Sequence, residues 1–284
     1  MRNKALTVSF PFKKEVVTSL RNRKRYAGSI HDGETASKYG YSSALVPGDH
    51  LYGFMSQVAV DAWGLDWLER GVISSRSRRP AYDNQKLRLS TSALNREADG
   101  AMIAVEISDL NGEVIAIGSI GLPDVAIAPP SLKDFPVMPA PAERPKVHRG
   151  AMFAGQRLYT NSTEIDDERH RVALAEFQES WPKYSEERIV PAARLLRQAL
   201  RDEVASYAYP TPSIFVSAAT QHFGTARVGD VLTTSSILTD TSEHKGASYF
   251  ECTTLVIANR TRVIAQIDRR TIYAAAVSIG SDRP

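Results

Sequence analysis

Seven of the chain's fifteen prolines, Pro123, Pro129, Pro130, Pro136, Pro139, Pro141 and Pro145, fall in one central stretch. Proline fixes φ and carries no N–H, so this stretch cannot become a helix or an inner strand and reads as an extended linker. At 284 residues the chain is roughly twice a typical domain of about 150 residues. It is therefore expected to divide into two units, 1–125 and 151–284, joined by a proline-rich linker at 126–150.

The two units repeat one pattern. In the first, alternating apolar residues predict strands over 82–90, 101–108 and 114–120, with Asn111-Gly112 as a hairpin turn. In the second, strands are expected over 228–234, 248–258 and 262–273, with a turn near Asn259-Arg260. Each unit is then a three-stranded antiparallel meander, and a helix stands ahead of each. Leu51, Phe54, Met55, Val58 and Ala62 share one helical face after Pro47-Gly48-Asp49, with Asp49 as the expected N-cap. Ala192, Leu195, Leu196 and Ala199 follow Pro191 in the same way. A further amphipathic helix over 164–178, carrying Val172, Ala173 and Phe177, has no counterpart in the first unit. The expected class is α+β: two antiparallel sheets, each wrapped around a central helix, forming a pseudo-dimer in one chain. That arrangement is the double hotdog, and the edge strands of its two sheets can join into one.

Composition narrows the function. With 43% hydrophobic and 24% charged residues the chain is too apolar to be disordered. A net charge of +3 gives weak ground for a nucleic-acid partner. Cys252 stands alone in an alternating stretch, as a buried strand thiol, so neither a disulfide framework nor a cysteine zinc site is expected. His31, His50, His148, His170, His222 and His244 are scattered without ligand spacing, so no metal site is expected. Phosphate-loop, dinucleotide, zinc-protease and nucleophile-elbow motifs are absent. Neither an apolar segment of signal-peptide length after Met1-Arg2-Asn3-Lys4 nor a membrane-spanning run occurs, and a cytoplasmic protein without a membrane partner is expected.

The chemistry concentrates in residues 26–49. His31-Asp32-Gly33-Glu34-Thr35-Ala36 runs on through Gly40 and Tyr41 to Val46-Pro47-Gly48-Asp49. This stretch resembles the signature of the MaoC-like (R)-specific enoyl-thioester hydratases and dehydratases, D-x-N-P-x-H followed by an acidic residue, an alanine, Gly-Phe and a glycine that opens the central helix. The spacings from Ala36 to Gly40 and from Gly40 to Gly48 match the family. The segment between His31 and Ala36 is one residue shorter, Gly28 and Ser29 stand at the Asn-Pro pair, and Tyr26 stands at the catalytic Asp. The resemblance implies a reversible addition or elimination of water on an enoyl or 3-hydroxyacyl thioester. His31 would be the acid and base, Asp32 or Tyr26 its partner, and the Gly48 amide the oxyanion donor at a helix N-terminus. It implies no metal or redox cofactor, since the thioester, carried by coenzyme A or an acyl carrier protein, is itself the electron sink.

Around that centre, Asp49, His50 and Tyr41 are candidate substrate contacts. The second unit carries a worn copy of the signature, Glu179-Ser180-Trp181-Pro182-Lys183-Tyr184, with Glu179 at the Asp position and Tyr184 at the His position. In double-hotdog relatives such a half commonly shapes the acyl pocket, so both residues are candidate pocket residues. Two basic clusters, around Arg21, Arg23 and Arg25 and around Arg76, Arg78 and Arg79, suit the phosphates of coenzyme A or of a phosphopantetheine arm, or else protect strand edges. Arg25 and Arg76 represent them in the candidate site. A thioesterase, a repurposed isomerase or cyclase, and a non-catalytic acyl-binding subunit remain alternatives, and a homodimer is left open.

Overall fold

The computed structural model describes residues 8–21, 23–209 and 212–274; Met1–Lys4 and Asn22 lie outside them. The first unit runs β1 (Lys13–Val17), α1 (Gly33–Lys38), α2 (Gly48–Trp63), α3 (Leu65–Arg70), β2 (Val72–Ser77), β3 (Lys86–Thr91), β4 (Asn95–Glu97), β5 (Gly100–Asp109) and β6 (Val114–Pro123). The second runs β7 (Ser162–Glu164), α4 (Asp167–Glu176), α5 (Pro182–Glu186), α6 (Ala192–Ser206), β8 (Ile214–His222), β9 (Val231–His244), β10 (Ala247–Ala258) and β11 (Arg262–Ala274).

The strands form one sheet in the order β1-β3-β5-β6-β2-β8-β11-β10-β9-β7, with β4 beside β5. This order is a palindrome: β1, β3, β5, β6 and β2 answer to β7, β9, β10, β11 and β8. Its centre is the antiparallel β2–β8 ladder, in register from Val72 opposite Gln221 to Arg76 opposite Ser217. The duplication read from the sequence is thus a duplication of the sheet, and the two half-sheets are joined edge to edge, which leaves neither β2 nor β8 as an exposed edge.

Helix α2 is apolar almost all round, and Leu51, Tyr52, Met55, Val58 and Ala59 are buried, as a helix enclosed by a sheet must be. It packs on α6, where Gly53 brings the axes close: a Cβ there would stand 3.3 Å from the Ala193 Cβ. One apolar core runs through both units, from Leu20 and Trp67 to Val256 and Ile267. The turn expected near Asn259 is built by Asn259 at φ 52° and Arg260 at φ 61°, the mirror-image turn whose twist suits a tight hairpin.

Several expectations need correction. Strands β1, β2, β4, β7 and β8 were outside the expected meanders, because they are short or, like β8, lack clean alternation. Asp49 does not cap α2; Pro47 occupies the N-cap and Asp49 lies in the first turn, its carboxylate turned to another helix. Helix α4 is shorter than 164–178, because Asp166 caps it by accepting the Arg169 amide at 2.7 Å. The proline-rich segment is more than a spacer. It is extended, with one short turn at Leu132–Asp134, and it docks on the second unit: Ser235 donates its hydroxyl to the Pro136 carbonyl, and Val147 is buried with Leu158 and Phe250. Cys252 is buried and unpaired. Among the described residues no helix is long and apolar enough to cross a membrane.

Gly118 on β6 sets how closely α2 rests on the sheet. A Cβ there would lie 2.1 Å from the Ser74 carbonyl oxygen and 2.7 Å from the Met55 sulfur. Neighbouring-strand backbone cannot yield cheaply, so Gly118→Ala is expected to cost about 1–3 kcal/mol. The readout is a lower urea midpoint at unchanged slope.

Candidate active site

The candidate centre lies where the first unit's loop meets the start of α2 and one face of α6. A short turn, Arg23–Tyr26, leads through Gly28 at φ +76° into a chain of tight turns in which the Ser29 hydroxyl donates to the Tyr26 carbonyl and accepts the His31 amide. These turns fix His31. Its Nδ1 lies 2.8 Å from the Leu45 carbonyl oxygen. A carbonyl can only accept, so Nδ1 carries the proton and Nε2 is left with its lone pair. Burial holds the His31 pKa below its ordinary value, against the Leu45 hydrogen bond and the Asp49 charge that favour the imidazolium. The ring meets Tyr26 edge-on at 5.3 Å between centroids.

His31, Tyr26 and Gly48 line a cavity of about 970 Å³, a size ordinary for a small-molecule site. Gly48 is the first residue of α2, whose opening amides have no partners within the helix and carry its positive end. A Cβ at Gly48 would lie 2.2 Å from Cδ1 of Phe215, so the glycine lets that ring close over the helix start. Leu45, Val46, Leu51 and Ile272 supply apolar wall. A groove of about 1040 Å³ across the sheet at β2, β6 and β8 holds neither a histidine nor a helix start, and the chemistry belongs to the first cavity.

A buried ionic network borders the cavity. Arg197 of α6 clamps Asp49 with two bonds, Nε to Oδ2 at 2.6 Å and Nη2 to Oδ1 at 2.8 Å, and its Nη1 stands 2.5 Å from Oε1 of Glu176 on α4. Glu176 also accepts the Tyr26 hydroxyl at 2.5 Å and Arg25 Nη1 at 3.2 Å. Burial alone would raise both carboxyls, but the Arg197 guanidinium overcomes it and holds Asp49 and Glu176 below the usual carboxylate range. Burial, with Glu176 adding to it, pushes the Tyr26 hydroxyl well above an ordinary tyrosine, so it is a neutral donor. Arg197 also lies over the Phe177 ring, 4.5 Å from its centroid.

No protein-family model matches the sequence, and no curated protein matches it. Solved structures do. A MaoC-like dehydratase aligns over 94% of this chain and 97% of its own with a TM-score of 0.64 at 13% identity. A conserved Mycobacterium tuberculosis protein, described as having a double hotdog fold, aligns over 94% and 98% with a TM-score of 0.60 at 13% identity. The fold is the double hotdog. A Lactobacillus plantarum protein provisionally described as an oleoyl thioesterase shares it over 94% and 96%, with a TM-score of 0.56 at 10% identity. At such identities the likeness concerns the fold, and the double hotdog hosts both kinds of neighbour.

Within the double hotdog the sequence-derived candidates separate into two groups. Tyr26, His31, Tyr41, Gly48 and Asp49 line the cavity together with Arg25 and Arg76. Asp32 does not join them: it accepts the Thr35 hydroxyl at 3.0 Å at the exposed start of α1, so it is a turn residue and not the partner of His31. His50 is buried behind the wall against Phe177, with neither ring nitrogen hydrogen-bonded, and burial pushes it down to about 4. Glu179 and Tyr184 do not line the cavity either; both are buried away from it, without hydrogen bonds of ordinary geometry. Arg197 and Glu176 escaped the sequence reading, since nothing local marks a pairing across 148 residues. Among the described residues, no group of three or more His, Cys, Asp or Glu could hold a metal ion.

Removing Arg197 would strand two buried carboxylates. Arg197→Leu is expected to lower unfolding free energy by about 3–5 kcal/mol, measured by urea titration at pH 7. The loss should shrink as the pH falls toward 4, where protonation of Asp49 and Glu176 relieves the unpaired charge in the variant.

Proposed function

We propose that this double hotdog is an acyl-thioester hydratase/dehydratase with one acid-base group, His31. The observation that carries the reading is the Nδ1 bond to Leu45, which presents a neutral imidazole with a free Nε2 beside the helix start at Gly48. The matched spacing from Ala36 through Gly40 to Gly48, downstream of His31, favours water elimination over other thioester chemistry.

In the dehydration direction Nε2 of His31 removes the proton on the carbon next to the thioester carbonyl. The electron pair moves onto the carbonyl oxygen, where the Gly48 amide and the positive end of α2 stabilise the developing charge. Asp49 sits in that same first turn, but its charge is matched by Arg197, so it does not cancel the helix field. The pair then returns to form the carbon–carbon double bond as the 3-hydroxyl leaves, taking the proton from the imidazolium as water. Hydration is the reverse. One imidazole thus serves both proton transfers, and Tyr26, committed to Glu176, supports the wall and takes no part in them. Arg76, Arg78, Arg79 and Lys245 around the mouth suit the phosphates of coenzyme A or a carrier's pantetheine arm.

A second reading, thioester hydrolysis, is favoured by the lack, among the described residues, of a carboxylate hydrogen-bonded to His31. There the same imidazole would take a proton from water, the water oxygen would attack the carbonyl, and the thiol would leave with that proton. Following enoyl absorbance and free thiol together on trans-2-enoyl-CoA thioesters separates the two. Loss of absorbance without thiol release is expected; thiol release with the double bond intact would replace hydration by hydrolysis. His31→Ala should cut turnover by about 10²–10⁴-fold. Because the base must be neutral, kcat/KM should fall as pH drops through an apparent pKa lying under the ordinary histidine value of 6.5.

A further inference from the structure

Helix α6 places Arg194, Arg197 and Arg201 three and four residues apart, on neighbouring turns of one face. Arg197 and Arg201 line the His31 cavity, and Arg25 joins them from the turn before Tyr26. Arg194 is only 8% exposed, and its Nη1 is fully buried without a hydrogen-bond partner. The charges that bear on it most are Arg201, Arg197 and Arg25, opposed by Glu176.

The carboxylates in reach are already taken. Asp49 is clamped by Arg197, and Glu176 receives Arg197, Arg25 and the Tyr26 hydroxyl. Beside Arg201, Arg169 pairs with Asp166, and the Asp202 carboxyl accepts the Thr234 and Ser236 hydroxyls at 2.5 and 2.6 Å. Burial pushes Asp202 up to about 7, so it offers only part of a charge. Asp49 and Glu176 therefore balance Arg197 and Arg25, while Arg194 and Arg201 are left in excess. A buried guanidinium without a counter-charge is costly, and burial with its arginine neighbours pushes Arg194 down to about 9. Among the described residues no carboxylate is left to supply that charge, and guanidinium forks match the paired oxygens of carboxylates and phosphates.

We propose that Arg25 and Arg201, with Arg194 buried behind them, form a subsite for an anionic oxygen group of the substrate, either a carboxylate on the acyl part or a phosphate of its carrier. Only the source of the anion rests on the thioester reading; the existence of the subsite does not. The basic residues at the mouth come from the end of β2 and the β9–β10 turn, so Arg201 of α6 and Arg25 of the Tyr26 turn make a separate wall of the same cavity.

The first test needs no turnover. Thermal unfolding of the full chain is followed against inorganic phosphate, and separately succinate, with sodium chloride at matched ionic strength as control. A saturable rise in Tm is expected for at least one of the two oxyanions and not for chloride. It should be lost in Arg194→Gln and in Arg201→Gln, but kept in Arg96→Gln, an exposed arginine of β4. Without anion, Arg194→Gln should melt at or above the wild-type temperature, since an unpaired buried charge has gone. A rise equal in wild type and both variants, or none beyond chloride, overturns the subsite. If folding fails in Arg194→Gln, the half-exposed Arg201 decides alone.

Turnover then identifies the source. An enoyl-CoA ending in a carboxylate is compared with one of equal length ending in a methyl group, and each with its pantetheine thioester. If Arg201→Gln lowers kcat/KM at least tenfold only for the carboxylate-bearing acyl group, the anion is on the acyl part; if only for coenzyme A over pantetheine, it is a carrier phosphate. An equal fall for all four substrates overturns the anion role. Oxyanion-dependent stabilisation without turnover of any enoyl thioester leaves the subsite standing and defeats the hydratase reading instead.

Discussion

One buried guanidinium, Arg197, holds the two units in the relation on which the site depends. It reaches from α6 to Asp49 on α2 and to Glu176 on α4, so three helices converge on a single planar cation. Such a network stabilises only when its geometry is satisfied, because each ion loses water on burial. Here the fork on Asp49 supplies two parallel bonds, and Glu176 is shared with Tyr26 and Arg25. The chemical consequence is withdrawal. Asp49, the carboxylate nearest the helix start, is spoken for, and Tyr26 is held as a neutral donor to Glu176. Of Asp49, Tyr26 and His31, the one left facing the cavity with a free lone pair is His31.

This arrangement was partly legible in the sequence. Helices α2 and α6 declared themselves because enclosure by a sheet forces an apolar face at helical spacing, and the paired meanders because period-two alternation survives on long strands. The seam did not. β2 reads Val72-Ile73-Ser74-Ser75-Arg76-Ser77, with the polar Ser75 at a buried position, and β8 opens on consecutive half-buried Ile214-Phe215-Val216, so neither shows apolar alternation in its letters. In the site, His31, Tyr26 and Gly48 were readable because their spacing is local, along one loop and into one helix. Asp32 was misjudged for the same reason: adjacency in sequence to His31 says nothing about direction, and the start of α1 turns its carboxylate to Thr35. Arg197 and Glu176 are held to the site by tertiary structure alone, and no local pattern encodes that.

The second unit shows what the first would be without its cavity. Tyr184, at the counterpart of His31, is buried against Trp181, its hydroxyl directed at the Ala192 amide at the start of α6 without closing an ordinary hydrogen bond. Glu179, at the counterpart of Tyr26, has both carboxyl oxygens buried and unpartnered, and burial with the Asp61 charge nearby pushes its pKa well up. The start of α6 is thus filled by the protein's own side chains, where the start of α2 opens on a cavity.

With its start filled by side chains, α6 can serve another task. Helix α2 has an apolar surface and can offer little but its N-terminus; α6 carries Arg194, Arg197, Arg201, Asp202 and Glu203, and turns part of that charge toward the cavity beside His31. On the proposed reaction the duplicated fold divides its labour unequally, with one helix supplying the field at the reacting oxygen and the other the charged wall. On that reading, the His31 imidazole between them has one proton to take and the same proton to give back. That favours reactions in which abstraction and return occur on one face of the substrate, and the clamped state of Asp49 keeps a second acid from competing for the role.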